Sequence, residues 1–168
     1  MSTLVIDIRP ARPGDCGEIA EVHDESWRNA YRGIIPGRDL ERMVERRGAA
    51  WWENAIARGS RVVVLTAGEE IVGYASFGRN RAAMLQVKGE VYEIYVRPHF
   101  QGVGLGRKLF NACRADMAAR GIESFAVWAL AENERACAFY RAMGGAAAGR
   151  GSESFGGIAL DKLAFTWA

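Results

Sequence analysis

The feature that most constrains this chain is the stretch Gln101-Gly102-Val103-Gly104-Leu105-Gly106. It follows Glu90 to Val96, a run rich in β-branched and aromatic residues that reads as a strand ended by Pro98. It leads into Leu105, Leu109, Cys113 and Met117, an apolar series at four-residue spacing that reads as one face of a helix. That helix stops near Arg120-Gly121, a C-terminal glycine cap. In a strand, glycine turn and helix joined this way, the first N–H groups of the helix have no internal partner. The helix dipole adds partial positive charge at the same place, and glycines let a ligand approach the backbone closely. Arg107 and Lys108 supply charge beside it. The unit reads as an anion site, although a turn that merely joins strand to helix could have the same local composition.

The spacing narrows the anion. A dinucleotide-binding fingerprint counted from Gly102 needs a third glycine at position 107, which is Arg107. No stretch fits the phosphate-loop pattern G-x-x-x-x-G-K-[ST].

The rest of the chain supplies a scaffold. Val5 to Arg9 reads as a first strand, and Pro10 and Pro13 stop it. Asp15, with Glu18 three residues on, predicts a capping box for a helix bearing Ile19, Val22 and Trp27. Leu40, Met43 and Val44 suggest a second helix, and Trp51, Trp52, Ala55 and Ile56 a third. Arg61 to Ala67 and Ile71 to Phe77 read as an antiparallel hairpin about Gly68-Glu69-Glu70, followed by a loop over 78–87. Phe125 to Leu130 reads as a buried strand. Asn133 predicts the cap of a helix that carries Ala136, Phe139, Tyr140 and Met143 and ends at Gly144-Gly145. A terminal strand, Gly157 to Trp167, pairs with one across 146–151. The order fits one α/β domain over residues 1–168, on a mixed sheet.

Bulk properties exclude several classes. With 168 residues and a net charge of +2, the chain suits one domain, and bulk charge does not point to a nucleic-acid partner. Cys16, Cys113 and Cys137 are odd in number and far apart, which suggests neither disulfides nor a zinc site; they read as buried free thiols in a reducing compartment. Two histidines are too few for a histidine metal cluster, and His23 reads as a helix-surface or cleft residue. No metal is expected. Met1 to Ile8 has no signal-peptide pattern and no window approaches a membrane span, so a cytoplasmic protein without a membrane partner is expected.

The residues around the turn carry a resemblance. The string from Ile94 to Gly106 resembles motif A of the GNAT superfamily of N-acetyltransferases, whose core Q/R-x-x-G-x-G/A is met by Gln101, Gly104 and Gly106. Asn133 to Gly144, N-E-R-A-C-A-F-Y-R-A-M-G, resembles motif B, N-x-x-A-x-x-F-Y-x-x-x-G. Ser26 to Pro36 is similar to the N-terminal region of many bacterial members.

The resemblance implies a GNAT fold: a central mixed, mostly antiparallel sheet, flanked by helices, whose fourth and fifth strands splay apart. It implies acetyl-CoA as co-substrate. Ile94, Tyr95 and Val96 would hold the pantetheine arm. Gln101, Gly102, Val103, Gly104, Leu105, Gly106 and Arg107 would hold the pyrophosphate, and Asn133 and Tyr140 would help position the cofactor. Tyr140 would also act as acid toward the leaving sulfur, and the Val96 N–H as donor to the oxyanion. For the base there are two carboxylates, Glu90 and Glu93. Strand alternation puts them on opposite faces. The resemblance favours Glu90, and a bulge in the strand would bring Glu93 to the cleft. Trp27, Tyr31 and Arg32 would line the acceptor pocket, suiting an amine with an apolar body or a carboxylate. Cys137 lacks a readable activating partner, so direct transfer is expected. The acceptor expected is a small-molecule amine. A protein N-terminus or lysine and a non-catalytic acyl-CoA-binding module are the alternatives. Members of the family are often homodimers.

Overall fold

The computed structural model describes residues 3–168, so Met1 and Ser2 of the leading segment lie outside the described residues. The elements are β1 (Ile6–Pro10), α1 (Cys16–Tyr31), α2 (Gly37–Arg46), α3 (Ala49–Ala57), β2 (Arg61–Ala67), β3 (Glu70–Arg79), β4 (Gly89–Val96), α4 (Leu105–Ala119), β5 (Phe125–Leu130), α5 (Glu134–Ala142), β6 (Ala146–Phe155) and β7 (Ile158–Trp167). They build a seven-stranded sheet in the order β1-β2-β3-β4-β5-β7-β6. Every neighbouring pair is antiparallel except β4 and β5, which run parallel.

The nearly continuous apolar run of β2 has a structural cause, because both faces of the sheet are covered. Val62 and Val64 pack with Ile19, Val22, Trp52 and Tyr74 under α1 and α3. Val63 and Leu65 point the other way and join Leu109, Phe110 and Met117 of α4 and Tyr140 of α5. Leu109, Phe110 and Cys113 are fully buried, so the four-residue spacing marks the face of α4 that meets the sheet.

The parallel pair positions the site. β4 and β5 are paired only at Gly89 with Phe125, Glu90 with Ala126 and Val91 with Val127. Both strands then continue, to Val96 and Leu130, without pairing to each other. This is the expected splay, and it opens directly beside the glycine turn.

Three local expectations are corrected. Asp15 does not cap α1 through its side chain. Its carboxylate accepts from the Arg9 guanidinium at 2.7 and 3.0 Å and from the Arg12 N–H at 2.7 Å. The arginine pair holds the Asp15 carboxyl below the usual carboxylate range. Glu18 instead accepts the Ile71 N–H at 3.1 Å, tying α1 to β3. His23 is not at the surface: it is fully buried between Trp27 and Trp52. The strand across 146–151 runs on to Phe155, because β7 offers a continuous antiparallel partner from Thr166 back to Ile158.

Candidate active site

The glycine turn has the geometry of an open cradle. Gly102 and Gly104 lie at φ +81° and +85°, in the left-handed region that glycine adopts without strain. A Cβ at either position would meet nothing within 4 Å, so the requirement there is backbone conformation and open approach. The first helical bond of α4 at this end runs from the Lys108 N–H to the Gly104 carbonyl at 3.1 Å. The N–H groups of Leu105, Gly106 and Arg107 precede it and carry the positive end of the dipole. Val103 and Arg107 are exposed beside them. Gln101 is already engaged: its N–H donates to the Pro98 carbonyl at 3.2 Å and its side-chain amide to the Val96 carbonyl at 2.9 Å. It braces the turn against the end of β4.

β4 supplies the wall of the gap. The Arg97 N–H donates to the Val72 carbonyl of β3 at 2.7 Å. Backbone groups alternate sides along a strand, so those of Val96 and Ile94 face the side from which β5 has diverged. The side chains of Val91, Ile94 and Val96 point to the α4 face.

A bulge decides the carboxylates. Ser76 is opposite Glu93, but Phe77 is opposite Val91, so Tyr92 is an extra residue in β4. Glu90 then faces Gly78, Glu93 faces Ser76 and Tyr95 faces Tyr74. Those β3 residues are two apart, so Glu90, Glu93 and Tyr95 share one face. All three line a cavity of about 910 Å³, together with Trp27, Tyr31, Arg47, Trp51, Trp52 and Arg81.

The two carboxylates differ in their surroundings. Glu90 accepts the Arg81 N–H at 3.0 Å and the Arg81 guanidinium at 2.7 Å, and its side chain is 4% exposed. Glu93 accepts from the Arg47 guanidinium and, at 3.2 Å, from the Tyr74 hydroxyl. Burial raises the Glu93 carboxyl above the usual glutamate range, against the opposing charge of Arg47. The Tyr31 and Tyr95 hydroxyls are hydrogen-bonded at 2.8 Å, and burial pushes Tyr31 up to about 12.

On the other side of the gap, Asn133 caps α5 by accepting the Ala136 N–H at 3.3 Å. Tyr140 is 7% exposed and packs against Phe139, Phe165 and Trp167. Burial raises its hydroxyl well above the ordinary tyrosine value.

Residues 19–144 match the model of the acetyltransferase (GNAT) family. The chain belongs to that family. An uncharacterized N-acetyltransferase of Bacillus subtilis is 28% identical over 97% of this chain and 93% of its own length. The L-amino acid N-acyltransferase MnaT of Escherichia coli is 33% identical over 71% of each chain. Among solved structures, the PaiA N-acetyltransferase of Thermoplasma acidophilum, in complex with coenzyme A, superposes with a TM-score of 0.76 at 21% identity, covering 94% of this chain and 98% of that one. This GNAT protein is an acetyl-CoA-dependent N-acetyltransferase.

Of the site residues expected from the GNAT resemblance, the structure brings Trp27, Tyr31, Glu90, Glu93 and Tyr95 to the cavity. Arg32 goes elsewhere: it is exposed on a second, charged cleft of about 610 Å³ with Arg28, Arg97 and His99. Three residues that hold the cavity carboxylates, two of them lining the cavity, have no counterpart in the sequence reading. Arg47 stacks 3.8 Å above the Trp51 ring while bonding Glu93, Arg81 lies 4.1 Å above Tyr92 while bonding Glu90, and Tyr74 reaches Glu93 from β3. The 46-residue separation of Arg47 from Glu93 leaves no local signal. The two-residue neighbourhood of Arg79 and Arg81 was the nearest available hint, in a segment that reads only as loop.

Proposed function

We propose that this protein transfers the acetyl group of acetyl-CoA to the primary amine of a small molecule, by direct attack in a ternary complex. The observation that carries the reading is the gap between β4 and β5. It opens next to the phosphate cradle of α4, with buried carboxylates on the cavity side.

The residues present fit acetyl-CoA. The N–H groups of residues 102–107 would hold the pyrophosphate, with Gln101 bracing the turn, and open space in front of Gly102 and Gly104 admits it. The Ile94 backbone and the Val96 N–H, on the side from which β5 has diverged, would hold the pantetheine amides, with Asn133 and Tyr140 across the gap. Acetyl-CoA supplies the acyl group as a thioester with a good leaving group.

Glu93 serves as general base, directly or through water. An amine with a pKa of about 10.4 costs roughly 4–5 kcal/mol to neutralise at pH 7, and a carboxylate raised by burial is a better proton acceptor for that task. Glu90, with donors on both oxygens, holds Arg81 and the rim of the cavity in place. The Val96 N–H donates to the acyl oxygen as charge develops there; one such donor is worth about 100- to 1,000-fold in rate. Tyr140 donates to the departing sulfur. Because burial raises its hydroxyl, it acts as a hydrogen-bond donor through the reaction and stays protonated across the assay range. Holding both reactants in one cavity supplies the positional gain. The L-amino acid named for the Escherichia coli relative supports a small acceptor.

The test is thiol release from acetyl-CoA across a broad amine panel, with Glu93→Gln beside the wild type. The expected result is turnover of at least one amine and a fall in kcat/KM of about 100-fold or more in the variant. Acetyl-CoA that binds but yields no amine-dependent thiol with any acceptor would overturn the reading.

A further inference from the structure

Resting on that acetyl-transfer reading, we infer that the Tyr31 and Tyr95 hydroxyls act as a pair that holds the acceptor nitrogen by the N–H it keeps, and so selects primary over secondary amines. Both side chains line the cavity that holds Glu93, and their hydroxyls are hydrogen-bonded to each other at 2.8 Å. Tyr95 stands two residues beyond Glu93 on β4, so the two side chains share a face, with Cα atoms about 6–7 Å apart along the strand. A nitrogen between them reaches the hydroxyl pair directly and Glu93 directly or through one water.

The pair is fixed before an acceptor arrives. Tyr31 is the last residue of α1 and lies four residues after Trp27, on the same helix face. The two rings meet edge-on with centres 5.0 Å apart. The Tyr95 ring packs against Tyr74 at 5.8 Å. Tyr31 also reaches toward the far side of the gap: after burial, the Tyr95 bond and the charge of Glu93, Asn133 is among the groups that act on its hydroxyl. The pair thus sits on the cavity side of the gap between β4 and β5, where the nitrogen meets the acyl carbon.

Burial pushes Tyr31 up to about 12 and Tyr95 well above the ordinary tyrosine value, so both hydroxyls are neutral at assay pH and do not replace Glu93 as base. After the mutual bond each oxygen still has an acceptor lone pair. A neutral primary amine carries two N–H groups. As it attacks, the C–N bond forms, the C–S bond breaks with its electron pair leaving on sulfur, and one N–H proton passes to Glu93. The other N–H stays in the amide product, and the hydroxyl pair accepts from it throughout. A secondary amine has one N–H, which must go to Glu93, so the hydroxyl pair is left without its donor.

The experiment uses the full chain. Phenethylamine, butylamine and methionine are each compared with their N-methyl derivatives, as is the fastest acceptor of the broad panel, with wild type, Tyr31→Phe, Tyr95→Phe and the double variant. Acetyl-CoA affinity is measured separately by calorimetry. The wild type should favour the primary amine by at least about tenfold in kcat/KM. Each variant should lose about tenfold toward the primary amine and little toward the N-methyl amine, which narrows the ratio, with acetyl-CoA affinity unchanged. The double variant should fall no further than either single one, because the hydroxyls act as a unit. Equal use of the N-methyl amine by the wild type, an unchanged ratio in either variant, or losses that add in the double variant would overturn the inference and leave acetyl transfer intact. A variant that loses both amines equally would mark that tyrosine as merely structural and overturn it too. No turnover of any amine by the wild type, with acetyl-CoA still bound, would overturn both.

Discussion

Replacing Gly104 with alanine separates the backbone role of the turn from its role toward the ligand. Gly104 lies at φ +85°, and a Cβ there meets no atom within 4 Å. The stability cost is therefore conformational alone, about 1–2 kcal/mol for a side-chain-bearing residue held in the left-handed region. For a chain of this size that lowers Tm by about 2–8 °C. Gly121, at the far end of the same helix, is a built-in control: its φ is +80° and its Cβ also meets nothing. Gly121→Ala should lose the same stability. The two variants should part company in coenzyme A binding. The methyl of Gly104→Ala enters the space before the first N–H groups of α4 and displaces one charge-assisted hydrogen bond. Such a bond is worth about 1.5–3 kcal/mol, or roughly 10- to 150-fold in affinity. Calorimetric titration of coenzyme A into both variants, beside thermal melts, reads the difference. Equal affinity loss in both, or none in Gly104→Ala, refutes the cradle assignment.

Other expectations follow from the same geometry. Tyr140→Phe should lower kcat by about 100-fold with coenzyme A affinity unchanged; since burial raises its hydroxyl, the wild-type rate should show no alkaline fall from Tyr140 below pH 10, and an equal kcat in the variant removes its role. Cys137 is buried and its thiol is raised by burial, so Cys137→Ala should retain activity and intact mass should show no acetylated cysteine. His23 is held down at about 3, by burial first and then by Arg47, even with Asp24 Oδ1 3.0 Å from its Nδ1. A lowered folded-state value means the unfolded chain takes up the proton first, near pH 6.5. Stability should therefore fall as pH drops from 6.5 toward 3, by about 1.4 kcal/mol per unit. Urea unfolding at pH 6.5, 5.5 and 4.5 should show that slope, and His23→Leu should flatten it; the same slope in both proteins would exclude His23 as its source.

Much of the scaffold was readable because it is written locally. The bounds of β5 at Phe125–Leu130 and the cap of α5 at Asn133 match the sequence reading, as does the α4 stop at Gly121. Each depends on side-chain period or on a residue within a few positions. The misreadings involve distant partners. Asp15 with Glu18 has the pattern of a capping box, but Arg9 reaches the Asp15 carboxylate from β1 and Ile71 takes Glu18. His23 reads as a surface or cleft residue until α3 brings Trp52 against it.

The glycine turn and the two motifs were enough, from the sequence by itself, to determine the family, the strand–turn–helix unit and the use of acetyl-CoA. Backbone conformation and orphan N–H groups are local properties that survive in the order of residues. The tertiary structure alone decided the face of the two carboxylates. A single extra residue, Tyr92, changes the parity of β4, and only the pairing with β3 reveals it. It also decided that Arg47 and Arg81 hold those carboxylates and that Arg32 does not reach the cavity. Register and ion pairing are contests among partners far apart in the chain, and packing chooses the winner.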